Sequence, residues 1–241
     1  MYIQFCIKQI NFYEVLMFDF LKYFSRLLMI LLVMPVTNTI KGVVAKKLGD
    51  TTAEDEGRLT LNPFSHIDFV GSIMILLIGI GWSKPMPINP RRMRNPQKGI
   101  FIISLTGPLS YFASSIVCDL IFNILVCIEP VRESLNSGEM TAAYGFLLVL
   151  SILSQINICL GVITLLPIPQ MDGFNILMHF TGAKFHNWYY QNYQTVNMVS
   201  MIAIIILFTL PDSINPLVYL INFFGYILNF ATSWIPQVLC K

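Results

Sequence analysis

Charge is what this chain has least of. Asp, Glu, Lys and Arg make up 12% of its 241 residues, against 55% hydrophobic, and its mean hydropathy is +0.67. So few charges cannot clothe a water-soluble surface, which excludes an ordinary soluble enzyme and leaves an integral membrane protein. The net charge of +2 is too small to hold a polynucleotide, so no nucleic-acid partner is implied. Histidine is scarce as well. His66, His179 and His186 are the only three, and no two stand three or four residues apart, the spacing that places two imidazoles on one helical face, so they assemble no metal centre. The cysteines Cys6, Cys118, Cys127, Cys159 and Cys240 contain no C-x-x-C pair. Three of them lie in apolar runs, where a thiol acts as a small hydrophobe, so they identify no redox compartment. Residues 1–11 lack an apolar core followed by a small-residue cleavage site, so the first span is expected to act as its own insertion signal.

What is present is a series of apolar runs, read as one membrane domain over residues 1–241. The fold class expected is an all-α polytopic bundle of about five or six membrane segments, each needing roughly 20 apolar residues to cross. The first run covers residues 18–36 and continues as a more polar helix through residues 37–48. Residues 49–68 carry glycine, proline and scattered charges, which predicts a loop or short strand. Residues 69–82 are apolar but short and hold Gly71, Gly79 and Gly81, which favours a re-entrant element over a crossing. Residues 83–98 bring prolines with Lys84, Arg91, Arg92, Arg94 and Lys98 and no acid, the pattern of a loop on the cytosolic side. Further spans are predicted at residues 99–128, 143–167, 196–210 and about 214–234. Counting crossings from the basic loop puts Asp172 and the carboxyl terminus inside. A re-entrant 69–82 places the amino terminus outside, although Lys8, Lys22 and Arg26 weigh against that side, and a crossing segment would place it inside. Trp188, Tyr189, Tyr190 and Tyr193 precede a span and read as an interfacial aromatic belt.

Three constellations stand out. Leu165-Leu166-Pro167-Ile168-Pro169-Gln170-Met171-Asp172-Gly173 ends a span with two prolines and a carboxylate close to the membrane. Ser104-Leu105-Thr106-Gly107-Pro108-Leu109-Ser110 puts small residues early in the span at residues 99–128, where another backbone can approach. Gly57-Arg58-Leu59-Thr60-Leu61-Asn62-Pro63 and Gly81-Trp82-Ser83-Lys84-Pro85-Met86-Pro87-Ile88-Asn89-Pro90 bracket the short apolar segment. In this order they resemble the compact bacterial site-2 proteases, zinc-dependent intramembrane metalloproteases, over residues 31–177, with residues 196–234 compatible. The resemblance implies a helical membrane bundle in the bacterial cytoplasmic membrane, with zinc held near the cytosolic face by two histidines and an aspartate.

The same resemblance locates a defect. Zinc peptidases of this kind need His-Glu-x-x-His, two ligands one turn apart and a carboxylate that activates the bound water. Here the segment reads Thr37-Asn38-Thr39-Ile40-Lys41, so Thr37 and Lys41 stand for the histidines and Asn38 for the glutamate, while Asp172 keeps the third ligand position. Threonine is a poor zinc ligand, asparagine is no general base, and Lys41 brings a positive charge where the cation belongs. Two arrangements suit these residues: a Lys41–Asp172 ion pair that replaces the metal's attraction for the carboxylate, or Lys41 snorkelling to the interface beside a hydrated Asp172. Tyr111 and Thr164 also stand where the family has asparagine. The leading expectation is a proteolytically inactive pseudoprotease that binds transmembrane segments or membrane partners, with no catalytic residue, no metal and no cofactor. Gly107, Pro108, Asn157, Pro167, Pro169, Asp172 and Gly173 are its groove candidates. The alternatives are an active zinc metallopeptidase carrying out intramembrane proteolysis, and a small-solute carrier using Asp119, Asn123 and Asn157. Membrane lipid is a partner on any of these readings.

Overall fold

The computed structural model describes residues 12–137 and 141–239 and is helical throughout, with no strand among the described residues. The chain opens with one long rod made of α1 (Phe12–Leu28), a five-residue π turn (Met29–Val33) and α2 (Met34–Lys47). Pro35 accounts for the π turn: proline offers no N–H and clashes with the carbonyl one turn earlier, so the ladder widens just before it. The membrane-spanning part of this rod, Val15–Lys47, is about 50 Å long at 1.5 Å per residue, more than the roughly 30 Å of hydrocarbon. Its last turns carry Lys41, Lys46 and Lys47.

After the one-turn α3 (Thr52–Asp55) comes α4 (Phe69–Ile78). Ten residues reach only about 15 Å, so α4 cannot cross. Asp68 caps its start by accepting the Gly71 N–H at 2.8 Å, and Gly79, at φ +92°, ends it. The chain then turns back along the helix. A Cβ on Gly81 would sit 2.1 Å from the Gly71 carbonyl oxygen, and one on Gly71 would sit 2.1 Å from that of Trp82, so only glycine permits the return. The Lys84 N–H closes the hairpin on the His66 carbonyl at 2.8 Å. The short apolar segment is thus a helix with a returning leg, as its length predicts.

The core pair is α5 (Pro96–Val126) and α7 (Ala142–Leu165), joined through α6 (Glu129–Ser137). They run antiparallel: Gly161 admits the Phe112 ring, and Ser115 and Ser154 share a hydrogen bond of 2.8 Å. Met29, Met34, Ile75, Tyr111 and Leu153 close the buried seam between this pair, the long rod and α4. There follow α8 (Asp172–Phe180), α9 (Ala183–Gln191), α10 (Tyr193–Thr209), α11 (Pro216–Thr232) and α12 (Ile235–Leu239). Among the described residues, four helical stretches are long and apolar enough to cross a membrane, and α9 with α10 forms a further apolar pair bent by 84°. The chain is an integral membrane protein.

The carboxyl-terminal topology differs from the expectation. Phe112 stacks on Phe224 at 5.1 Å, and further along α5 Asn123 donates to the Thr232 carbonyl at 3.3 Å, so α11 runs parallel to α5. Its end lies opposite to Asp172, not on the same side. The reason is α10: Tyr189, just before it, packs on Phe174 at 4.8 Å, and Leu207, near its end, accepts from Asn215 at 2.8 Å at the start of α11. Both ends of α10 lie at the Asp172 end of the bundle. Counting each apolar run as a crossing overcounts by one.

Candidate functional site

The motif segment, residues 37–41 with the three altered positions Thr37, Asn38 and Lys41, lies on α2. Thr37 is fully buried and its hydroxyl has no hydrogen-bond partner among the described residues. Asn38, also buried, donates from Nδ2 to the Ser83 hydroxyl at 2.9 Å and the Lys84 carbonyl at 3.3 Å, tying α2 to the returning leg of the α4 hairpin. Thr39 donates to the Thr60 carbonyl at 2.8 Å, and Arg58 reaches the Lys84 and Pro85 carbonyls at 3.3 Å. The two bracketing motifs are thereby drawn onto the same turns of α2.

Asp172 arrives from the other side. The prolines after α7 end that helix, Gln170 takes a left-handed turn at φ +75°, and Asp172 becomes the first residue of α8. Gly173 has to be glycine, because a Cβ there would lie 2.0 Å from the Leu165 carbonyl oxygen. The outcome is direct: Lys41 Nζ donates to Asp172 Oδ2 at 2.6 Å, with side-chain exposures of 18% and 16%. Gly107 forms the wall behind the pair, since a Cβ on it would lie 2.4 Å from both Asp172 Oδ2 and Lys41 Cε. Tyr111 lies within electrostatic reach of Asp172. Of the groove candidates, Gly107, Asp172 and Gly173 converge here. Pro108 and Pro169 are buried and Pro167 is exposed. Asn157 lies within α7, donating to the Leu153 carbonyl at 2.8 Å while its Oδ1 has no partner among the described residues.

A profile described as Peptidase family M50 matches residues 41–208. The chain belongs to that family. The site-2 proteases are this family, so the resemblance seen in the motifs holds. A candidate zinc metalloprotease of Bacillus subtilis (strain 168), YwhC, is 37% identical over 134 residues, covering 56% of this chain and 58% of that protein. No solved structure matches. The profile match begins at Lys41, the last of the altered positions.

Zinc is the metal this M50 membership implies, and the side chains present do not fit it. Among the described residues no three of His, Cys, Asp and Glu converge, and what faces Asp172 is an ammonium with three donors and no lone pair. His66 is the histidine nearest the altered motif, and it is committed elsewhere. Its Nε2 donates to the Thr60 carbonyl at 2.7 Å while Nδ1 is buried without a partner among the described residues. Burial, above all, pushes its pKa below the ordinary range, and the nearby Arg58 adds to this against the pull of the Thr60 carbonyl. A depressed histidine pKa means that the unfolded chain binds the proton more readily, so stability falls as pH drops below about 6.5. Thermal unfolding in detergent should therefore show a decline on the acid side of that value, and His66→Gln should flatten it.

One contributor escaped the sequence reading. Arg26, 8% exposed within the apolar rod, donates from Nη1 to the Leu76 and Leu77 carbonyls at 2.6 and 3.0 Å and from Nη2 to the Ile78 carbonyl at 3.2 Å. These are the carbonyls left open where α4 ends inside the protein, and the cation also meets the negative end of the helix dipole. Its charge belongs to the hairpin and does not report the side of the amino terminus. A cation in mid-span opposite a helix too short to reach water was the available signal.

Proposed function

We propose that this M50 member is a proteolytically inactive pseudoprotease that retains the family scaffold and binds transmembrane segments or membrane partners without cutting them. The observation that carries the reading is the ammonium of Lys41 against Asp172, a protein cation at the place of the metal ion. With Asn38 donating to Ser83 and Lys84, the position of the general base is filled by a donor that holds the returning leg closed. Asparagine at that position cannot accept a proton from water. The ion pair keeps α2 docked on α8 as a bound metal would, and the hairpin stays formed beside it. The basic loop 83–98 supports placing this end on the cytosolic side of a bacterial cytoplasmic membrane.

The test uses the full chain reconstituted in vesicles with a single-span membrane protein and added zinc. Expected is crosslinking of the span to a photoreactive group at Pro167, the exposed groove candidate, with the span uncut. Cleavage by the wild type that disappears in Asp172→Ala would establish the active metallopeptidase instead.

A further inference from the structure

The geometry points to a built site for an anionic phospholipid in the crevice between the long rod and α5. Two cavities share that crevice. The first is an apolar groove of about 520 Å³ between Leu32, Val36 and Ile40 on one side and Leu109, Ala113 and Val117 on the other. The hydroxyls along it do not make it polar, because Thr106, Ser110 and Ser114 all donate back to carbonyls one turn earlier in α5. The second is a cavity of about 240 Å³ at the rim, lined by Lys47, Arg94 and Lys98 with Asn95, Gly99 and Ile102.

Helical spacing joins the two. On α5, Lys98, Ile102, Thr106, Leu109, Ala113 and Val117 recur at three and four residues, and on the rod Val36 and Ile40 continue through Val43 to Lys47. The stripe is apolar at bilayer depth and basic at the rim, the polarity of a two-chain lipid with a negative headgroup.

The charge at the rim is uncommitted. Glu54 pairs with Lys46 and Asp55 with Arg92, while Lys47, Arg94 and Lys98 enter no ion pair among the described residues. The rim is also held in shape: the Arg94 N–H donates to the Leu48 carbonyl at 3.1 Å, which fixes the loop against the end of α2. The N-terminus of the 31-residue α5 adds its positive end to the same cavity. A phosphodiester there meets an arginine fork and two ammonium groups while its acyl chains fill the groove.

Native mass spectrometry of the detergent-solubilised full chain, offered phosphatidylglycerol and phosphatidylcholine of identical acyl chains, tests this. The wild type should retain phosphatidylglycerol in preference. Lys47→Gln/Arg94→Gln/Lys98→Gln should abolish the preference, each neutralisation costing about fivefold in retention. Ala113→Trp, which fills the groove from an exposed position, should lower retention of both lipids. Inorganic phosphate should fail to displace the lipid, which separates a lipid site from a free-anion site. Equal retention of the two lipids by the wild type would overturn the proposal. So would a preference that survives the triple substitution, unchanged retention in Ala113→Trp, or displacement by phosphate.

Discussion

Replacing Lys41 by Met is expected to destabilise the protein by about 3 kcal/mol, because it leaves the Asp172 carboxylate unpaired at a largely buried position. Asp172→Asn should cost a comparable amount by stranding the ammonium. Lys41→Met/Asp172→Leu should recover most of the loss, since removing both partners of a buried pair is often close to neutral. Unfolding of the three variants in detergent gives the coupling energy, expected above about 1 kcal/mol for groups in contact. The geometry sharpens the result. Gly107 leaves the pair no room to move away, so the ammonium and carboxylate are confined to one contact. If both single variants were as stable as the wild type, Lys41 would be reaching water on its own.

Arg26→Met is expected to have an effect of similar size by a different route. It removes three hydrogen bonds to the Leu76, Leu77 and Ile78 carbonyls, and a buried polar group left without a partner costs about 1 to 3 kcal/mol. The loss should be local. Polar ties hold the α4 hairpin to α2 through Asn38 and to the 57–63 segment through Arg58, and these are few, so the hairpin should open before the bundle unfolds. Hydrogen exchange should show faster exchange across residues 69–84 with α5 and α7 still protected. Arg26→Lys should rescue only in part, because a single ammonium cannot span three carbonyls as the guanidinium fork does. Uniform exchange across the bundle would mean that the hairpin is held by something other than this cap.

Much of the fold was legible because the solvent is a bilayer: a run too short to cross must turn back, and residues 69–82 do. The pairing of residue 41 with residue 172 was one of two arrangements the sequence left open, since an added cation and a retained carboxylate in family register also suit a lysine that snorkels to the interface. The course of residues 193–234 was not legible. An apolar run says that a helix prefers lipid, not that it traverses the bundle, and the 84° bend before α10 is carried by no sequence signal comparable to a proline pair. Arg26 misled for a related reason. Topology rules read a cation as a marker of side, whereas this one satisfies carbonyls fifty residues away, a contact that exists only once α4 is folded against α1. Asn38 showed as the absence of a base, and its bonds to Ser83 and Lys84 depend on the same hairpin.

The central claim is that a lysine has taken the place of the metal. Zinc content of the purified full chain under mild chelation tests it most directly, with Asp172→Ala and the restored motif Thr37→His/Asn38→Glu/Lys41→His alongside. The wild type and Asp172→Ala should carry no zinc, while the restored chain, with two histidines one turn apart and Asp172 free, should bind it. Stoichiometric zinc in the wild type that is lost in Asp172→Ala would contradict the account.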